Sequence, residues 1–155
     1  MSERLTEDII EKFKAYEIPE VKSKIRKKNL VKFAESINAK KEKYFGDDPV
    51  AHPAYVGTIV VKALLGLGDA AVKDKDGNDV KLILNPLKIV HGGQNYEFSD
   101  VPVKDGEMIF TTGTLKEVYI KSGMLFLVAS CTTKNEAGDV VLKTEINAIC
   151  REGGF

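Results

Sequence analysis

The sequence has no surplus of charge. Lys plus Arg and Asp plus Glu both number 23 in 155 residues, so the formal net charge is zero. That balance argues against a nucleic-acid or anionic-membrane surface as the main partner, since either would be met by a basic excess. It also leaves no strong repulsion against self-association or partner docking. Cysteine occurs only at Cys131 and Cys150. Both lie in apolar, strand-like runs, which reads as two buried thiols acting as small hydrophobes. Histidine is equally scarce, at His52 and His91, and with the cysteines so far off in sequence no adequate metal-ligand set exists. No cofactor is expected. No signal peptide or membrane-spanning run is visible at the N-terminus, which is charged from Glu3 onward; a cytoplasmic protein is the expectation. Internal repeats and low-complexity stretches are also missing.

What is present suits a single globular domain over residues 1–155, long enough to bury a sizeable core. The chain is organised around Ala51–Leu67, a loop closed by a proline and followed by an almost wholly apolar helix. Tyr55, Val56, Ile59, Val60, Ala63, Leu64 and Leu67 recur at helical spacing, and Lys62 is the one charge between Tyr55 and Leu67. A helix apolar nearly all round is expected to be buried, and about a dozen residues are too few to span a membrane.

Ahead of it, Ser2–Tyr16 reads as an amphipathic helix stopped by Pro19, an N-terminal extension of about residues 1–18. Glu20–Ile25 reads as a short strand. Lys27–Asn38 reads as a second amphipathic helix, with Asn38 suited to its C-terminal cap. Gly46–Pro49 marks a turn, and Asp74–Asn78 a hairpin loop. Asp74 and Asp76 invite a calcium reading, but the twelfth position counted from Asp74 is Asn85, not Glu. Four strands follow at Leu87–Phe98, Glu107–Tyr119, Gly123–Asn135 and Val140–Arg151, joined by short turns as an antiparallel meander. Arg151–Phe155 reads as a frayed tail. The expectation is an α+β fold, a long central helix wrapped by a curved antiparallel sheet of about five strands. Such a sheet has open edges, so dimerisation is expected.

Three stretches resemble the MaoC-like branch of the hotdog fold, the (R)-specific enoyl-CoA hydratases and 3-hydroxyacyl-thioester dehydratases. Leu30–Ile37 resembles the helix that leads into the family's hydratase loop. Ala51-His52-Pro53-Ala54-Tyr55 resembles its entry to the hotdog helix. Val90–Phe98, with His91-Gly92-Gly93-Gln94, resembles its "LHGeQ.FeyhrP" strand, and Val101–Gly106 the segment that follows. The second and third are most similar to the N-terminal, FAS1-like dehydratase subgroup, which includes non-catalytic subunits of heteromeric dehydratases.

The departure from the family is chemical. Catalytic members carry Asp and His five apart in a G-D-x-N-P-x-H loop, where the pair activates water and exchanges a proton at the thioester α-carbon. The aligned positions here are Ala39 and Tyr44. Alanine can neither accept a proton nor orient water. The resemblance therefore implies no catalytic residue in this loop. It implies a subunit that forms the acyl-binding tunnel for an acyl-CoA or acyl-carrier-protein thioester, while a MaoC-like hotdog partner supplies Asp and His in a heterodimer or heterotetramer. His91, Gly92, Gly93, Gln94, Tyr55 and His52 are the candidate substrate contacts. For His91 and His52 a structural role stands as the alternative, and for Gly92-Gly93 a bulge. Lys40, Lys41 and Lys43 form either a solvated face or a contact to a CoA phosphate. Two other readings stay open: a homodimeric hydratase or thioesterase with relocated catalysts, and an acyl-thioester-binding scaffold without chemistry.

Overall fold

The computed structural model describes residues 4–155; Ser2, where the first helix was expected to start, lies outside them. The first helix, α1, spans Glu7–Phe13, with Thr6 as its N-cap and Ile9 and Phe13 buried. It is shorter than the apolar spacing implied. The chain turns out at Ala15, whose φ of 65° ends helical geometry, and residues Glu17–Lys24 form strand β1. Pro19 therefore does not stop the helix. It sits inside β1, at a register irregularity between Ile18 and Val21. Because β1 is an edge strand, the missing proline N–H deletes no ladder bond that the sheet needs.

Helix α2 spans Lys27–Ser36 and α3 spans Pro53–Leu65, continued by a 3₁₀ turn over Gly66–Asp69. A small hairpin, β2 (Ala71–Lys73) and β3 (Asp79–Lys81), follows. Its loop is closed by the Asp74 carboxylate, which accepts from the backbone N–H of Asp76 and of Asn78, both at 2.8 Å. Then come β4 (Ile89–Phe98), β5 (Met108–Lys121), β6 (Met124–Lys134) and β7 (Val140–Cys150).

The main sheet has the order β1-β5-β6-β7-β4, every pair antiparallel. The meander expected over the last four strands holds only for β5–β7. Strand β4 crosses over to pair with β7, so it forms one edge of the sheet and β1 the other. This is an α+β hotdog architecture, with α3 packed against β1, β5, β6 and β7 on one face of the sheet. Val56, Ile59, Val60 and Ala63 of α3 join Leu115, Leu127, Ile146 and Ala148 of the sheet in one buried cluster. Each fully buried Val, Ile or Leu side chain stabilises the fold by roughly 2 kcal/mol. Helix α1 packs on β2 and β5, and Leu5, Phe13, Leu67 and Leu82 join the same buried cluster.

The helix is not buried all round. Ala54, Thr58, Lys62 and Leu65 are exposed, so its apolar composition exceeds what one chain covers. The tail is not frayed either. The Gly154 carbonyl accepts from the N–H of Leu84 (2.8 Å) and of Asn85 (3.2 Å). A side chain at Gly154 would bring its Cβ within 2.4 Å of the Cys150 Sγ, so only glycine seats the tail there.

Candidate functional site

The N-terminal end of α3 is built by the chain that leaves α2. Asn38 adopts φ of 52°; its N–H donates to the Glu35 carbonyl (3.0 Å) and that of Ala39 to the Ala34 carbonyl (2.9 Å). This doubly bonded left-handed cap fixes Ala39 at the helix terminus. A 3₁₀ turn over Glu42–Tyr44 then buries Tyr44 to 6% exposure. Its ring lies 4.8 Å from that of His52 between centroids. Phe33 of α2 completes the cluster, 6.1 Å from His52 and 5.5 Å from Tyr55.

His52 is the N-cap of α3. Its Nδ1 accepts from the N–H of Ala54 at 3.2 Å, and Pro53 occupies the first helical position, where its missing N–H costs nothing. With Nδ1 accepting, the neutral ring carries its proton on Nε2 and offers no free lone pair as a base. Burial pushes the His52 pKa below its ordinary value, and Lys41 and Lys43 push it further the same way. Burial raises the pKa of Tyr55, opposed by a hydrogen bond from Asn29.

The second half of the site is the inner face of edge strand β4. His91 is paired with Ala148, Gln94 with Ile146, Tyr96 with Thr144 and Phe98 with Leu142. All four partners are buried, and directly opposed residues share a face, so these β4 side chains point toward α3. Gly92 sits in a bulge between His91 and Gly93. A Cβ there would come within 3.1 Å of the Ile149 Cδ1 and 3.3 Å of the Asn147 carbonyl, which accounts for one glycine without a ligand. The Gln94 amide donates to the Thr144 hydroxyl at 3.2 Å, and that hydroxyl donates to the Asn95 carbonyl at 2.5 Å.

Two hollows open between α3 and β4. One, of about 410 Å³, lies at the N-terminal end and is lined by Lys43, Pro53, Val56, Phe98 and Asp100 among others. The other, of about 210 Å³, lies at the C-terminal end among Val61, Leu64, Leu65, Ile89 and His91. The candidate residues therefore split into two groups. His52 and Tyr55 gather at one end with Tyr44, whereas His91 lies toward the other, beside Val61 and Leu65. Among the described residues, no carboxylate lines the His91 hollow. Asp47 and Asp48 pair with Lys27 (3.6 Å) and Lys104 (2.6 Å), as turn residues would. Lys43 lies over the Tyr44 ring at 5.3 Å. Tyr96 and Phe98 are the site residues that sequence reasoning passed over. Their alternation with Gln94 along one strand face was the available signal.

The family model for the FAS1-like dehydratase domain region matches residues 12–144. The chain belongs to the FAS1-like dehydratase family. Among solved structures, this FAS1-like dehydratase domain is similar to the (R)-hydratase PhaJ1 from Pseudomonas aeruginosa. That likeness has 16% identity and a TM-score of 0.64, over 92% of this chain and 84% of the other. It is similar to a chain of the HadBC (3R)-hydroxyacyl-ACP dehydratase complex from Mycobacterium tuberculosis, at 16% identity and TM-score 0.66, over 88% and 96%. It is also similar to a chain of the ChsH1–ChsH2 complex from the same organism, at 10% identity and TM-score 0.61, over 88% and 97%. At these identities the likeness shows the hotdog fold alone. No curated protein matches the chain in sequence. Among the described residues, no helix is long and apolar enough to cross a membrane.

Proposed function

We propose that this FAS1-like dehydratase domain is the non-catalytic subunit of a heteromeric (R)-specific enoyl-thioester hydratase or 3-hydroxyacyl-thioester dehydratase. It lines the acyl tunnel for an acyl-CoA or acyl-carrier-protein substrate, and a MaoC-like hotdog partner supplies the Asp/His pair. The observation that carries this reading is the state of the hydratase loop. Hydration needs a base to take a proton from the water that attacks the β-carbon and an acid to return one to the α-carbon. At the family's two catalytic positions, Ala39 is tied into a helix cap and Tyr44 is a buried ring packed on His52. His52 spends its Nδ1 lone pair on the Ala54 amide.

The rest of the site supports a binding role. Among the described residues, strand β4 has no partner on its outer edge, and it is the natural place for edge-to-edge pairing with another hotdog chain. Leu65, Leu84, Leu87 and Val90, at the end of α3 and the approach to β4, are exposed apolar residues beside that edge, as an interface would have them. His91, Gln94 and the two hollows then face the acyl group from this chain, while Gly92-Gly93 lets the strand bulge.

The test mixes the purified chain with a MaoC-like hotdog protein carrying the intact Asp/His loop. Stoichiometric co-elution and crotonyl-CoA hydration well above that of the partner alone are expected. A homomer that gains neither a subunit nor activity from any such partner would contradict the reading, and would favour the homodimeric or scaffold alternatives.

A further inference from the structure

We propose that Tyr96 partitions the cleft beside α3 into two chambers and so limits the length of acyl chain that this chain accepts. This rests on the acyl-tunnel reading above. Pro53, Gly57, Val61 and Leu65 follow one another at intervals of four along α3 and form a single stripe. Strand β4 runs the opposite way beside it. Phe98 shares the first hollow with Pro53, and Ile89 and His91 share the second with Val61 and Leu65. Between the two, Tyr96 meets Gly57.

That meeting is close. A Cβ on Gly57 would lie 2.6 Å from the Tyr96 Cε1 and 3.2 Å from its hydroxyl oxygen. Glycine inside a helix is unfavourable relative to alanine, and here it admits the phenol ring directly onto the helix backbone. Phe98 stacks on that ring, with centroids 5.3 Å apart and planes 9° from parallel. The ring thus stands across the stripe where a continuous groove would run. An extended chain entering from the Pro53–Phe98 end meets it before reaching the apolar chamber at Val61 and Leu65. Tyr96 is 45% exposed, so truncating it opens the groove without hollowing the core.

Calorimetric titration of the full chain, in its assembled form, with butyryl-, octanoyl- and lauroyl-CoA tests this. In the unaltered protein, affinity should rise with chain length and then level off. In Tyr96→Ala it should keep rising, by roughly fourfold for each further methylene buried. Tyr96→Phe should behave like the unaltered protein, because the ring and not the hydroxyl blocks the groove. Tyr96→Val, which keeps a strand-forming residue on β4, should repeat the alanine result if alanine unfolds the edge. Parallel chain-length profiles in all four proteins would overturn the partition and leave the tunnel reading standing. No binding of any of the three thioesters to any of the proteins would overturn the tunnel reading and the partition with it.

Discussion

The imidazole of His52 packs on the phenol ring of Tyr44 at a centroid distance of 4.8 Å; burial first, and then the cations of Lys41 and Lys43, disfavour its protonated form. Folding therefore lowers the His52 pKa, and the folded chain takes up this proton less readily than the unfolded one. The stability supplied by the neutral ring is complete above the unfolded value of about 6.5 and is lost as the pH falls through the folded-state value. Thermal melts should show the unaltered protein losing stability on acidification relative to His52→Asn, which keeps the helix cap but does not titrate. Equal pH dependence in the two proteins would refute this account of His52.

Tyr44 is a packed aromatic, buried against His52. Removing it leaves a cavity under His52 and Phe33. Tyr44→Ala should cost about 3 kcal/mol in denaturant unfolding. A loss below about 1 kcal/mol would mean that the loop does not depend on this ring.

Gly57 and Tyr96 are coupled through a contact that a methyl group would violate. Gly57→Ala alone forces the ring aside and should bring no gain in stability. In a Tyr96→Ala background the same substitution should stabilise by about 0.5–1 kcal/mol, the ordinary advantage of alanine over glycine in a helix. A double-mutant cycle measures the difference, and additivity within about 0.3 kcal/mol would deny the contact.

Leu65 and Leu87 are 76% and 86% exposed. Substituting either by lysine should leave the stability of the separate chain within about 0.5 kcal/mol. The same substitutions should weaken association with the proposed hotdog partner tenfold or more, about 1.4 kcal/mol. Unchanged association would move the interface away from this apolar patch.

Much of this was legible in the sequence, for physical reasons that differ by element. The centre of α3, β5–β7 and the Asn38 cap follow from periodicity and from the tolerance of asparagine for positive φ. The place of β4 could not be read that way. Alternation places a strand on a face but does not choose its neighbour, and the crossing of residues 99–107 puts β4 beside β7. Pro19 misled because the same residue that ends a helix is tolerated on an edge strand. Helix α3 read as apolar nearly all round and therefore buried, yet one chain leaves Ala54, Thr58, Lys62 and Leu65 exposed. In the site, Ala39 and Tyr44 could be singled out from the sequence through the family resemblance alone. The Tyr96–Gly57 contact was not, because it joins residues that only the fold brings together.

The most direct test of the proposal that this chain carries no catalytic pair of its own is the rate of crotonyl-CoA hydration by the chain purified free of every other hotdog protein. The account predicts a rate indistinguishable from buffer. Turnover that follows the chain through purification and is abolished by His91→Ala or His52→Ala would contradict it.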